Sequence, residues 1–183
     1  RQADLAPGTA GLTTSSYSGS RLVNSEVNID VGQNGYFPGG SAYFTLLHET
    51  GHAIGLKHSG NYNPNDSGPT LPGNQDNWDA TVMSYYSGSH ANTGNFASTP
   101  MIFDIAAAQY LYGANHNYNA GNTTYTITGA KLAAAIWDGN GTDTLNASSS
   151  SSGGVIDLRE GLPYVTQIGA TSLWMAFGAN IEN

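Results

Sequence analysis

His48, Glu49, His52 and His58 are the residues whose types and spacing could do chemistry. On a helix His48 and His52 lie about 40° apart on one face and roughly 6 Å apart along the axis, so two imidazoles can converge on one metal ion. Glu49 follows the first histidine and sits beside that metal rather than on it. Gly55 can take the left-handed conformation that ends a helix, after which the chain can turn back and bring in His58 as a third ligand. Three nitrogen ligands with an open fourth position describe a catalytic zinc site. Such a metal acidifies and polarises a water, and Glu49 is placed to accept its proton. The plain alternative is a buried helix with three hydrogen-bonded histidines. From average residue usage, the two motif histidines, the glutamate, the glycine and the third histidine would coincide at about one position in ten million. Three imidazoles aimed at one point without a metal would also be poorly satisfied.

The elements that must position these groups are partly legible. Ser41 is a fair N-cap for a helix over 42–55, with Phe44, Leu47, Ile54 and Leu56 as its core contacts. Residues 21–31 alternate, with Leu22, Val27, Ile29 and Val31 apolar, which predicts a strand with one buried face. Residues 1–20 read as a loop, with a weak edge strand near Ala3–Ala6. The segment 59–80 holds three prolines among Asn, Asp and Gly and reads as a long loop beside the site, in which Asp66, Asp76 and Asp79 are equally explained as solvated turn residues. Beyond 123 the chain changes character, with short strands at 125–127, 155–158, 165–168 and 173–177 and a short helix near 131–135.

Composition bounds the rest. The chain has 183 residues, no cysteine, 5 basic and 13 acidic residues and a net charge of −8. That suits one domain, or one domain and part of another. It excludes disulfides and thiolate ligands and argues against nucleic acid or an anionic membrane as partners. No apolar run is long enough to span a bilayer, and Arg1-Gln2-Ala3-Asp4 lacks the apolar core of a signal peptide.

The histidine motif, together with Thr81-Val82-Met83-Ser84-Tyr85, resembles the metzincin zinc endopeptidases. The Met-Ser-Tyr form, the long run between His58 and Met83, and the stretch Pro100 to Asn115 are similar to serralysins, and the last of these implies a helix over 101–112. Ser59 departs from the proline usual after the third histidine. The resemblance implies an α/β metzincin zinc-protease fold, with an active-site helix and mixed sheet, followed by a β-rich calcium-binding segment. It implies an N-terminally incomplete catalytic domain over 1–118 and the start of a β-roll, without its repeats, over 119–183. His48, His52 and His58 would bind Zn2+, joined at rest by Tyr85, which then assists the oxyanion. Glu49 would be the general base. Met83 would pack beneath the site, and Asp104 would either accept hydrogen bonds near the methionine turn or complement its helix dipole. Residues 86–100 would wall the specificity pocket.

The stretch 137–161 is similar to the opening of the serralysin β-roll. By spacing alone, an ordinary Asn-Gly turn is a slightly better account of Asp138 to Asp143 than a cation loop. The resemblance implies one Ca2+ held by the backbone at Asn119, Gly121 and Asn140 with Thr123, Asp138 and Asp143, and a second held by Gly141, Asp143, Asn180 and Glu182. It implies a protein or peptide substrate bound as an extended strand, with Ala3–Pro7 as the pairing strand. A small protein inhibitor is a candidate partner, and no nucleic acid or membrane is implied. It also implies a secreted, extracellular protein exported by a C-terminal signal outside this chain. A chain of this extent is expected to associate or to be less stable than a complete family member. A metal-binding scaffold without peptidase activity remains the alternative.

Overall fold

The computed structural model describes residues 1–64, 66–92 and 94–183. Its elements run β1 (Gln2–Ala3), β2 (Gly11–Ser18), β3 (Arg21–Asp30), α1 (Ser41–Ala53), α2 (Ile102–Tyr112), β4 (Thr124–Thr126), β5 (Leu132–Ile136), β6 (Thr144–Asn146), β7 (Gly154–Val155), β8 (Thr166–Ile168) and β9 (Thr171–Met175). The architecture is mixed α/β.

The first sheet has the order β1-β3-β2, with β1 parallel and β2 antiparallel to β3. Helix α1 packs across β2 and β3. The predicted strand at 21–31 is present as β3, with Ile29 buried, while Val31 lies beyond its end and is exposed. The strand beside α1 is β2, at 11–18, whereas only Gln2–Ala3 of the N-terminal stretch is strand. The expectation at Ala3–Pro7 is therefore corrected. The inward face of β2 is Gly11, Thr13 and Ser15 rather than apolar residues, so it carries no hydrophobic period to find.

Helix α1 begins at Ser41, with Gly40 in extended conformation at the cap position. Ser41 Oγ donates to Asn34 O at 2.9 Å instead of capping the helix. At the other end, Gly55 has φ +96°. The N–H of Leu56 reaches Gly51 O at 2.9 Å, closing the helix with a left-handed turn.

The expected helix near 131–135 is instead β5. Ala133, Ala134 and Ala135 are good helix formers, but they pair in parallel register with Ser172, Leu173 and Trp174 of β9. Tertiary burial overrides their propensity. The third sheet has the order β5-β9-β8-β7, and a parallel pair β4-β6 stands beside it. Strands β5 and β9 are buried on both faces. Ala133, Ala135 and Trp174 join one core with Phe44, Leu56, Val82, Met83, Met101 and Ile102. Ala134, Ile136, Leu173 and Met175 join a second with Ile127, Leu145, Ile168 and Ile181. The two-residue side-chain period makes this one sheet the shared wall of both cores. No helix of the described residues is long and apolar enough to cross a membrane.

Candidate metal centre

One turn of α1 carries His48, Glu49 and His52, and the turn at Gly55 returns His58 to them. One ring nitrogen from each histidine lies within 4.8 Å of the others, the only such cluster of three His, Cys, Asp or Glu groups among the described residues. Each Nδ1 faces an acceptor. His48 Nδ1 meets Val82 O at 2.7 Å, His52 Nδ1 meets Leu56 O at 2.9 Å, and His58 Nδ1 meets Asp66 Oδ2 at 3.0 Å. In a neutral ring the proton must then sit on Nδ1, which leaves the Nε2 lone pair free. The Nε2 atoms of His52 and His58 are 3.1 Å apart. Two ligands of a tetrahedral zinc lie about 3.3 Å apart, given Zn–N bonds of about 2.05 Å. Facing lone pairs at this distance are unfavourable without a cation, so the donor set fits zinc.

Burial also favours the neutral form of the two helix histidines, His48 and His52. Burial lowers the pKa of His48 to about 4, against the raising effect of the Val82 carbonyl and assisted by His52 and His58. Burial likewise lowers that of His52. Deprotonated imidazoles are what a metal requires.

The methionine turn lies under this cluster. Met83 is buried, and its Sδ occupies the place where a side chain on Gly51 would fall. Asp104, at the start of α2, holds the turn. It accepts from Thr81 Oγ1 and, at 2.8 Å each, from the N–H groups of Val82 and Met101. Val82 in turn offers its carbonyl to His48, so Asp104 reaches the first histidine through one residue. Glu49 is buried beside the histidines. Tyr85 is half-exposed, with its ring centroid 4.8 Å from that of His58 and 5.8 Å from that of His48.

Comparison with known proteins supplies the context for this geometry. No family model matches the chain. The chain is 38% identical over 164 residues to the metallopeptidase AprA of Pseudomonas marginalis, covering 76% of this chain and 34% of that protein. It is 39% identical over 140 residues to serralysin of Proteus mirabilis, covering 64% and 28%. It is 34% identical over 157 residues to serralysin A of Dickeya chrysanthemi, covering 76% and 32%. The chain belongs with the serralysin-type metalloproteases. It spans about a third of the length of these relatives.

In this serralysin-type chain three further residues, which the sequence leaves as turn residues or does not mark, attend the metal centre. Asp66 orients His58, and it also accepts from the N–H groups of Tyr62 and Asn63 at 3.0 and 2.9 Å. Tyr62 stacks on Tyr85 with centroids 4.4 Å apart and planes 16° from parallel. Its hydroxyl is fixed by Asp76, Ser59 and Ser84. Thr13 hydrogen-bonds Glu49. Asp79 has a structural place, gathering the N–H groups of Ser89, His90 and Ala91. Ser59, standing where a proline is usual, uses the N–H a proline lacks: it donates to Met83 O at 3.4 Å and ties the third-histidine loop to the methionine turn. Only a His-x₇-Asp spacing could have suggested Asp66, and such a spacing is common.

The residues expected to hold calcium are also brought together. Asp138 and Asp143 are buried. Thr123 N–H donates to Asp143 Oδ1 at 2.7 Å, and Thr123 Oγ1 donates to Gly121 O at 3.0 Å, with Asn119 O at 3.5 Å. Asn140 N–H reaches Asp138 Oδ1 at 3.2 Å, and Tyr125 donates to Asp138 Oδ2 at 2.6 Å. At the second cluster, Glu182 Oε2 accepts from Asp143 N–H and Oε1 from Asn180 Nδ2, both at 2.6 Å, with Gly141 alongside. Asp143 Oδ2 is buried with no hydrogen-bond partner among the described residues. A buried carboxylate oxygen left bare beside a second carboxylate suits a cation.

Proposed function

We propose that this chain is the metal-holding part of a secreted, extracellular zinc endopeptidase that cleaves extended protein substrates. The observation that supports the reading most is the orientation of all three histidines: each Nδ1 is engaged, so each Nε2 is free for a metal, with Glu49 beside them. His48, His52 and His58 would hold zinc, with Tyr85 joining them at rest. Bound there, zinc would polarise the scissile carbonyl and acidify a water.

Glu49 takes a proton from the attacking water and later passes it to the leaving amine. The Tyr85 phenol, half-exposed next to the histidines, hydrogen-bonds the developing oxyanion. Substrate lies along the free edge of β2 as an added strand. That edge borders the same cleft as the histidines and Tyr85. Within the metzincin fold we assign the catalytic part to 1–118, and the start of a β-roll to 119–183. Asn119, Gly121, Thr123, Asp138, Asn140 and Asp143 would hold one calcium, and Gly141, Asp143, Asn180 and Glu182 a second. A small protein inhibitor would compete for the cleft.

The test is hydrolysis of an unstructured protein with zinc and calcium supplied, comparing the chain with Glu49→Ala. Loss of a general base is expected to cost about 10²–10⁴ in rate, with one zinc per chain retained. Equal turnover in both would remove Glu49 as the base. Stoichiometric zinc with no turnover in either would favour a metal-binding scaffold.

A further inference from the structure

Strand β2 has an inner face of Gly11, Thr13 and Ser15, three small or polar residues where a sheet covered by a helix would ordinarily present apolar ones. Each does something specific against α1. A side chain on Gly11 would meet Glu49 Cγ at 2.6 Å and Oε1 at 2.8 Å, so the absence of a Cβ leaves that carboxylate its room. Ser15 Oγ pairs with Ser25 Oγ at 2.8 Å, and Ser25 donates to Ala53 O at 3.0 Å, tying the end of α1 to the sheet. Between them, Thr13 Oγ1 lies 2.7 Å from Glu49 Oε2 and 2.8 Å from Glu49 O. Glu49 Oε1 receives no hydrogen bond among the described residues.

We propose that Thr13 is the positioning residue for Glu49: its hydroxyl holds Oε2 and leaves Oε1 as the oxygen that takes the proton. The inference rests on the peptidase reading. In the step, a water O–H bond breaks and the Oε1–H bond forms. The electron pair left on the water oxygen attacks the scissile carbonyl. Thr13 remains a donor throughout, to a carboxylate oxygen before the transfer and to a carbonyl oxygen after it. Fixing one oxygen lowers the number of orientations the carboxylate must search before reaction. The strand offered to substrate is thus also the strand that aims the base, and substrate pairing on β2 steadies both.

The experiment compares Thr13→Val, which keeps the shape and removes the hydroxyl, with Thr13→Ser, which keeps the hydroxyl, both zinc-loaded. A hydrogen bond to a charged group is worth about tenfold in rate when it acts in the reacting state. Thr13→Val is expected to lose about tenfold in kcat with KM within about twofold and zinc stoichiometry unchanged. Thr13→Ser is expected to keep about half the wild-type kcat or more. A merely structural tie would lower the melting temperature of Thr13→Val and leave kcat, measured well below that temperature, unmoved; that result overturns the proposal. Equal losses in the valine and serine variants overturn it too. Crystal structures of the two zinc-loaded variants give a second readout that needs no turnover. Glu49 is expected to rotate away from β2 in Thr13→Val and to stay in Thr13→Ser, and an unmoved carboxylate in the valine variant overturns the proposal. Failure of the wild-type chain to hydrolyse any substrate would instead sink the peptidase reading, and the crystallographic comparison would still decide the role of Thr13.

Discussion

Asp104 and Asp143 are both carboxylates at 4% and 0% exposure, one under the metal centre and one in the proposed calcium cluster. Asp104 receives three donors, from Thr81, Val82 and Met101. Burial still raises its pKa to about 6 against those donors. Asp143 receives the Thr123 N–H on Oδ1, while Oδ2 has no partner among the described residues. Burial raises its pKa as well, opposed by the Thr123 N–H and reinforced by Asp138. The first carboxylate is completed by the protein's own hydrogen bonds. The second keeps one buried oxygen that no donor of the described residues reaches, as the proposed calcium would require. On the assignment proposed above, the difference separates a site built before its metal arrives from a site that calcium would finish.

The largest effect follows from breaking the completed one. Asp104→Ala leaves two N–H groups and a hydroxyl buried without an acceptor, which should cost about 3 kcal/mol and lower the melting temperature by about 10 °C. Asp104→Asn keeps an acceptor and should cost less. It should also remove a pH dependence. A carboxyl whose folded pKa lies above its ordinary value penalises folding when charged. That penalty is absent below the ordinary value near 3.8 and grows as pH rises through about 6. The stability of the wild type relative to Asp104→Asn should therefore fall by about 2.4 kcal/mol between pH 4 and 7, read by denaturant unfolding at each pH. His48 titrates in both proteins and cancels in the difference. A flat difference would mean the three donors fully offset the burial.

The unfinished carboxylate should respond in the opposite sense. Asp143→Asn removes a buried charge beside Asp138, so the calcium-free variant should melt higher than the calcium-free wild type. Calcium at a hundred times its dissociation constant should add about 2.7 kcal/mol to the wild type, a rise of about 5–10 °C, and add little to the variant. A variant that melts lower without calcium would show that Asp143 is already compensated, and the contrast with Asp104 would fail.

The same contrast marks what the sequence made legible. The metal centre could be read because its ligands are local: a helical i, i+4 pair, a glycine that ends the helix at φ +96° and a third histidine six residues on. Strand β3 was also readable from its alternation, whereas helix α2 was expected only from the family resemblance. Strand β2 was missed because its inner face is Gly, Thr and Ser, and β5 was misread because an alanine run favours helix until β9 buries it. Asp66, Tyr62 and Thr13 act through pairings that no motif spacing marks; the Thr13–Glu49 pairing spans 36 positions. The calcium residues were gathered from three stretches of chain, and only a family resemblance connected them beforehand.

The smallest expected effect tests how far the metal centre is built in advance. Of the three acceptors that fix the histidine tautomers, two are backbone carbonyls, of Val82 and Leu56, which substitution cannot delete. The third is a side chain, Asp66, on the loop after His58. Burial acts to raise its pKa, but the Asn63 N–H, His58 and the Tyr62 N–H outweigh burial and lower it, so Asp66 is the carboxylate that keeps Nδ1–H of His58 in place. Losing such a partner typically weakens a metal site by about 10–100-fold. Asp66 is partly open to solvent, at 22% side-chain exposure, and water can replace part of what it gives. Asp66→Ala should therefore lie near the lower bound, about tenfold weaker for zinc in competition with a chromophoric chelator. Asp66→Asn can present an amide oxygen to the same Nδ1–H and should recover most of that loss. If alanine and asparagine weaken zinc equally, the carboxylate acts through its charge rather than by orienting the ring, and this part of the site depends on its metal in the way proposed for Asp143.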